Sequence, residues 1–257
     1  MFQISVQNKK LTPLKKTIHG LGGVVTAVVQ SEEGSDCFFI GDEQFLDALQ
    51  AQLQAQLPHL KIIRADSIDW NEQSALHSPF YANGRIEIPL PNAKVLTLLP
   101  GAAFGDASHP STRLSLELLS GKVFGKSFLD IGTGNGVLAL ASALMGSTYA
   151  VGVEIDPDAL LVAHQNCALN NLEQVVTIIT PDQFVDSSYD IVVANMTLGD
   201  QQNAFTHYQN SLKSAHCIIL SGLLQGQEEE AIKLLPSGWQ IEERICEGEW
   251  VALFLNR

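Results

Sequence analysis

FLDIGTGNG, residues Phe128 to Gly136, carries an apolar run into an acid and then into three spaced glycines. Leu129 and Ile131 are strand-forming positions, and Asp130 places a carboxylate near the end of the run. Gly132, Gly134 and Gly136 allow a tight turn against which a ligand or a second backbone comes close. The apolar, alanine-rich stretch Val137 to Met145 then reads as a helix. A second strand, Tyr149 to Val153, ends on Glu154, which stands 22 residues beyond Gly132. That is about the separation at which an acid receives ribose hydroxyls in nucleoside-binding α/β folds.

Which nucleoside ligand fits is a question of charge. Asp130 lies two residues before the first glycine, where a carboxylate repels a pyrophosphate and attracts a cationic amino or sulfonium group. The glycines also recur every second residue, unlike the GxGxxG of dinucleotide sites. Both features favour S-adenosyl-L-methionine over NAD, and Asp130 with Glu154 is expected to hold it from two adjacent strands. An oxidoreductase is the weaker reading.

Composition narrows the remaining classes. A chain of 257 residues with 46% hydrophobic content accommodates one large and one small core. A net charge of -13 with only 15 lysines and arginines opposes direct nucleic-acid binding and favours a basic protein partner. No apolar run reaches the ~18 residues of a membrane span, and the amino terminus lacks a secretory pattern, so a cytoplasmic location is expected. Cys37, Cys167, Cys217 and Cys246 are far apart, with no CxxC pair, so neither a disulfide nor a metal site is expected.

The segment 1–66 reads βαββαβ. Strands are expected over Phe2–Val6, Gly23–Gln30, Asp36–Ile40 and Lys61–Ala65, and helices over Thr12–His19 and Glu43–Leu57. Phe45, Leu46, Leu49, Leu53 and Leu57 stripe one face of the second helix. This is the ferredoxin-like split βαβ order, expected to position a substrate. Residues 67–99 read as an ordered linker with a hairpin turn at Asn83-Gly84, and Ile86, Ile88, Leu96, Leu98 and Leu99 predict strands packed onto a neighbour. From 100 to 257 strands and helices alternate, which implies a parallel sheet covered on both faces. Helices are expected over Pro157–Asn170, Gln201–Leu212 and Gln225–Leu235. A closing antiparallel pair, Trp239–Ile245 with Trp250–Leu255, gives the whole the plan of a Rossmann-like class I methyltransferase.

Phe104 to Thr112, FGDASHPST, with LDIGTGNG, VGVEIDP, VVANM and SGLL in that order, resembles the PrmA family, bacterial methyltransferases that modify ribosomal protein L11. The resemblance covers most of residues 69–257. It implies trimethylation of amino groups, at lysine side chains and the amino terminus, by S-adenosylmethionine. It further implies that Thr112 and Gly132 contact the cofactor, that Glu154 holds its ribose and that Asn195 lies beside the transferred methyl group. Phe104, Asp130, Gly134 and Gly136 complete the expected cofactor-binding set. Asn195 closes a buried strand and offers carbonyl oxygens to an incoming amine; His109 is the second catalytic candidate, acting on the loop over the cofactor or on the substrate proton.

The chain departs from the family pattern where Asp106 and Ala107 replace threonine and glycine, and where Asn195-Met196-Thr197 replaces NIL. A negative charge at Asp106 is expected to alter cofactor affinity or the choice of acceptor. A small-molecule methyltransferase and a binding module without activity are the alternatives to a protein N-methyltransferase.

Overall fold

The computed structural model describes residues 2–7, 14, 17–18, 21, 24–30, 35–40, 43–56, 62–64, 70–101 and 103–257. The chain divides into two compact units, Met1–Gln73 and Ser74–Arg257.

In the first unit β1 (Phe2–Val6), β2 (Val24–Gln30), β3 (Ser35–Ile40) and β4 (Ile63–Arg64) form a sheet of order β2-β3-β1-β4. Its described pairings are antiparallel, which is the ferredoxin-like arrangement. Helix α1 (Glu43–Gln56) buries Leu49 and Leu53 against Ile4, Val6, Leu14 and Ile18, with Leu46 at the margin. The side chains of Phe45 and Leu57 lie outside the described set. Of the helix expected over Thr12–His19, Leu14, Thr17 and Ile18 are described and are helical.

The segment 67–99 has the expected hairpin and packed strands, with a helix added before them. Trp70–His77 is a helix, α2, and β5 (Tyr81–Ala82), β6 (Arg85–Pro89) and β7 (Val95–Leu98) make a three-stranded antiparallel sheet. Asn83 and Gly84, at φ 51° and 76°, form the tight turn between β5 and β6. Ile86, Ile88, Leu96 and Leu98 share a core with the helices of the second unit. The β7 backbone at Thr97 exchanges two hydrogen bonds with the Asn170 side chain, at 3.0 and 2.7 Å. Residues 74–99 are therefore a layer of the larger unit.

The second unit is built on seven strands in the order β10-β9-β8-β11-β12-β14-β13. These are β8 (Ser127–Ile131), β9 (Tyr149–Val153), β10 (Val176–Ile179), β11 (Ile191–Asn195), β12 (Cys217–Leu224), β13 (Gln240–Glu247) and β14 (Trp250–Asn256). The first five run parallel, and β14 and β13 add an antiparallel edge. All five residues of β8 and of β11 are buried, as befits strands covered on both faces. Ile191 and Val193 join one core and Val192 and Ala194 the other, the alternation of a pleated strand.

Helices α3 (Pro110–Leu119), α4 (Val137–Leu144) and α5 (Pro157–Leu169) are followed by α6 (Leu198–Ala204), a 3₁₀ turn (Phe205–His207), α7 (Gln209–Ser214) and α8 (Glu228–Lys233). The single helix expected over Gln201–Leu212 is thus broken, at Tyr208, whose φ of -121° is not helical. Helix α3 lies in a stretch for which the sequence gives no element. Among the described residues no helix is long and apolar enough to cross a membrane.

Candidate active site

The β8–α4 turn is folded tightly enough to need its glycines. Gly134 stands at φ 58°, and a Cβ there would lie 2.5 Å from the Phe104 carbonyl oxygen. The same carbonyl accepts the Asn135 N–H at 2.9 Å. Two loops, 104–109 and 132–136, therefore meet backbone to backbone, a contact that no larger residue at 134 permits. A Cβ at Gly222, which stands at φ 75°, would likewise lie 2.6 Å from the Met196 carbonyl oxygen, so the chain is closely packed just after β11.

Asp130 does not face the space these loops enclose. Its Oδ2 accepts the Thr133 hydroxyl at 2.5 Å and the Ala139 N–H at 3.3 Å, so it fastens the turn to α4. Burial pushes its carboxyl up to about 7, against the pull of those two hydrogen bonds. The expected clasp of two acids is corrected accordingly. Strand alternation sends Asp130 to the face shared by Phe128 and α4, while Ile131 reaches the other side.

Glu154 behaves differently. Its Oε2 accepts the Gly134 N–H at 2.7 Å, and its Oε1 accepts the Ile155 and Asp156 N–H groups at 2.8 and 3.0 Å. It stands at the carboxyl end of β9, on the wall of a cavity of about 970 Å³. Phe104, His109, Gly132, Gly134, Glu154 and Asn195 line that cavity together. Thr112, Asp130 and Gly136 do not. Thr112 is fully buried, and its hydroxyl receives the Asn195 Nδ2 at 3.4 Å. Gly136 is the αL residue that opens α4.

Asn195 is the last residue of β11 and is 9% exposed. With its amide nitrogen turned to Thr112, its Oδ1 is left buried with no hydrogen-bond partner among the described residues. A buried acceptor without a donor costs stability, roughly 1–3 kcal/mol. On the wall of a cavity it points to a donor that arrives with the ligand.

His109 caps α3 rather than standing in a simple turn. Its Nδ1 accepts the Ser111 N–H at 3.2 Å, and Pro110 follows at the first helical position. Burial first, and then the Arg113 guanidinium, lower its pKa, so the imidazole is neutral with its proton on Nε2. Its free face therefore donates, which argues against a general base. The ring lies edge-on to Trp250 with centroids 4.4 Å apart, and 5.3 Å from Phe104.

Asp106 is likewise not on the cavity wall. Its Oδ1 accepts the Ser108 N–H and hydroxyl at 3.0 and 2.5 Å, closing a turn in which Ala107 sits at φ 60°. The expected effect of its charge on the ligand finds no geometric basis. Arg113 holds this loop from below, donating to the carbonyls of Ala107 and Ser108 at 2.8 and 2.6 Å and forking onto Glu247 in the final hairpin.

The sequence reading missed several residues of the wall. Trp250 opens β14, and Ile155 and Phe184 add apolar surface near Glu154. Asp200, Asn203 and His207 recur at helical spacing, a period that was present in the sequence.

A family profile described as ribosomal protein L11 methyltransferase (PrmA) matches residues 42–257. The chain belongs to the PrmA family. A ribosomal protein L11 methyltransferase of Geobacter sulfurreducens is 37% identical over 166 residues, which cover 64% of this chain and 55% of the relative. One from Pelobacter propionicus is 32% identical over 255 residues, 91% of this chain and 81% of the relative. The chain spans about half the length of the first of these. The crystal structure of a ribosomal protein L11 methylase from Lactobacillus delbrueckii subsp. bulgaricus superimposes with a TM-score of 0.54 at 25% identity, covering 64% of this chain and 86% of that one. The PrmA fold is thus the frame on which the cavity is built.

Proposed function

We propose that this chain transfers methyl groups from S-adenosylmethionine to amino groups of a protein, and that ribosomal protein L11, which the relatives' names give as their substrate, is its acceptor. The unpartnered Asn195 Oδ1 carries this reading, because it supplies at the end of β11 the hydrogen-bond acceptor that an amine N–H requires.

The residues present suit the cofactor. Gly132 and Gly134 present bare backbone, Glu154 places a carboxylate at the neighbouring strand end, and the cavity is of the size that small-molecule sites adopt. Bound there, S-adenosylmethionine supplies a methyl group already activated on a sulfonium, so that a neutral amine displaces a neutral thioether and the surplus proton passes to water. The protein's own contribution is chiefly orientation. Asn195 fixes the direction of the amine, and Thr112 fixes Asn195. His109 caps α3, keeps the aromatic side of the cavity in place and contributes a donor there. The net charge of -13 favours a basic partner over a nucleic acid, and the amino-terminal ferredoxin-like unit is the part available to present that partner.

Calorimetry with S-adenosylhomocysteine, followed by mass spectrometry of purified L11 incubated with the chain and S-adenosylmethionine, tests the proposal. Binding and added methyl groups are expected. Methylation of small amines in preference to L11 would transfer the reading to a small-molecule enzyme, and absence of binding would leave only a binding module.

A further inference from the structure

Among the described residues the walls of the cavity carry no lysine or arginine, and their two acids, Glu154 and Asp200, differ in what already occupies them. Both oxygens of Glu154 are engaged by backbone N–H groups. Asp200 has one oxygen engaged. Its Oδ2 accepts the Thr197 hydroxyl at 2.6 Å, and Thr197 Oγ1 in turn accepts the Asp200 N–H at 3.3 Å. Thr197 is the N-cap of α6, so this reciprocal pair holds the carboxylate in one orientation on the first turn of the helix. Asp200 is exposed to solvent and Asn195 is 91% buried, so the cavity offers an anionic acceptor at its outer edge and an unpartnered neutral acceptor within. Asn203 and His207 extend the same polar side of the chain at three- and four-residue spacing, while Phe104, His109 and Trp250 supply an aromatic side.

Resting on the function proposed above, we propose that Asp200, oriented by Thr197, is a specificity-determining residue that draws the substrate in as an ammonium group, which gives up a proton to water before the neutral amine reaches Asn195, and so favours lysine side chains and free amino termini over groups that carry no charge on arrival. A carboxylate with one oxygen already fixed loses less rotamer freedom on meeting a cation than a free side chain does. Because it is exposed, its preference is modest and sensitive to salt.

The test is fluorescence anisotropy with the full chain, saturated with S-adenosylhomocysteine, and a labelled amino-terminal peptide of L11 prepared with free or fully acetylated amino groups. The wild type is expected to prefer the free peptide by about fivefold, the range of an exposed charge pair, and to lose that preference in 0.5 M salt. Asp200→Asn should bind both peptides alike, and Thr197→Val should fall between. Equal preference in wild type and Asp200→Asn would overturn the inference and leave the proposed function standing. Failure of the wild type to bind S-adenosylhomocysteine would instead overturn the function on which the inference rests.

Discussion

Replacing Asp130 by asparagine tests whether this acid is a structural group that prefers to be neutral. In the folded chain its carboxyl is displaced from 3.8 to about 7 by burial. An acid whose pKa is raised on folding binds its proton more tightly in the native state. The stability it contributes is complete below about pH 3.8 and is lost as the pH rises through 7. At about 1.4 kcal/mol per pH unit the whole displacement corresponds to roughly 4 kcal/mol, of which roughly 2 kcal/mol falls between pH 5 and 7. Glu228, Glu247 and Asp190 have lowered values, so their opposite effect is confined to more acid conditions. Asparagine has the same shape, does not ionise and can still accept from Thr133 and Ala139. Urea unfolding followed by tryptophan fluorescence, at pH 5, 6, 7 and 8, should show the wild type losing about 2 kcal/mol relative to Asp130→Asn between pH 5 and 7. Parallel curves for the two proteins would refute the reasoning, since Asp130 would then ionise alike in the folded and unfolded chain. The variant should also keep its affinity for S-adenosylhomocysteine, because the carboxylate does not reach the cavity.

Gly134→Ala forces a Cβ to within 2.5 Å of the Phe104 carbonyl at a left-handed φ. It should cost at least about 1–2 kcal/mol of stability and, in calorimetry, weaken S-adenosylhomocysteine binding more than about tenfold; normal binding would show that the loops separate easily. Asn195→Ala removes the unpartnered carbonyl, so turnover should fall by about a hundredfold while cofactor affinity changes little, as read from single-turnover kinetics and calorimetry. Arg113→Ala frees the 104–109 loop from its anchor on Glu247. Hydrogen exchange across that loop should rise, and the melting temperature should fall by a few degrees, in keeping with a half-exposed group worth about 1–2 kcal/mol.

The parts of the fold legible in the sequence are those whose periodicity is set by burial alone. The apolar strands around Asp130 and Asn195 and the βαββαβ order of the first unit are of this kind. Helix α3 was hidden because its buried side includes Ser111, Thr112 and Ser115, which blur the apolar stripe. Its start signal, His109-Pro110, also reads equally well as a turn. The apolar residues from Ile86 to Leu99 predict packed strands, yet their place in the larger unit depends on Asn166 and Asn170, some seventy residues away in sequence, whose side chains bond the β7 segment.

The reading of Asp130 shows how the site itself could have been resolved earlier. Charge places Asp130 and spacing places Glu154 against the ligand, but a strand buried on both faces sends alternate residues to opposite sides. Phe128 and Asp130 share the side covered by α4, and of Leu129 and Ile131 on the other side, Ile131 at the strand's end lines the cavity. Glu154 escapes the rule because it stands just beyond β9, where the backbone has left the pleat and its N–H groups are free to bind a carboxylate. The same logic separates Asp200 from both. It lies on a short helix at the cavity's edge, with one oxygen fixed and the other open to solvent, and of the three acids it alone is placed to meet a charged partner from outside. In this fold the most conspicuous acid fastens the turn, and the acid proposed to meet the acceptor lies three residues past the stretch where the chain departs from the family pattern.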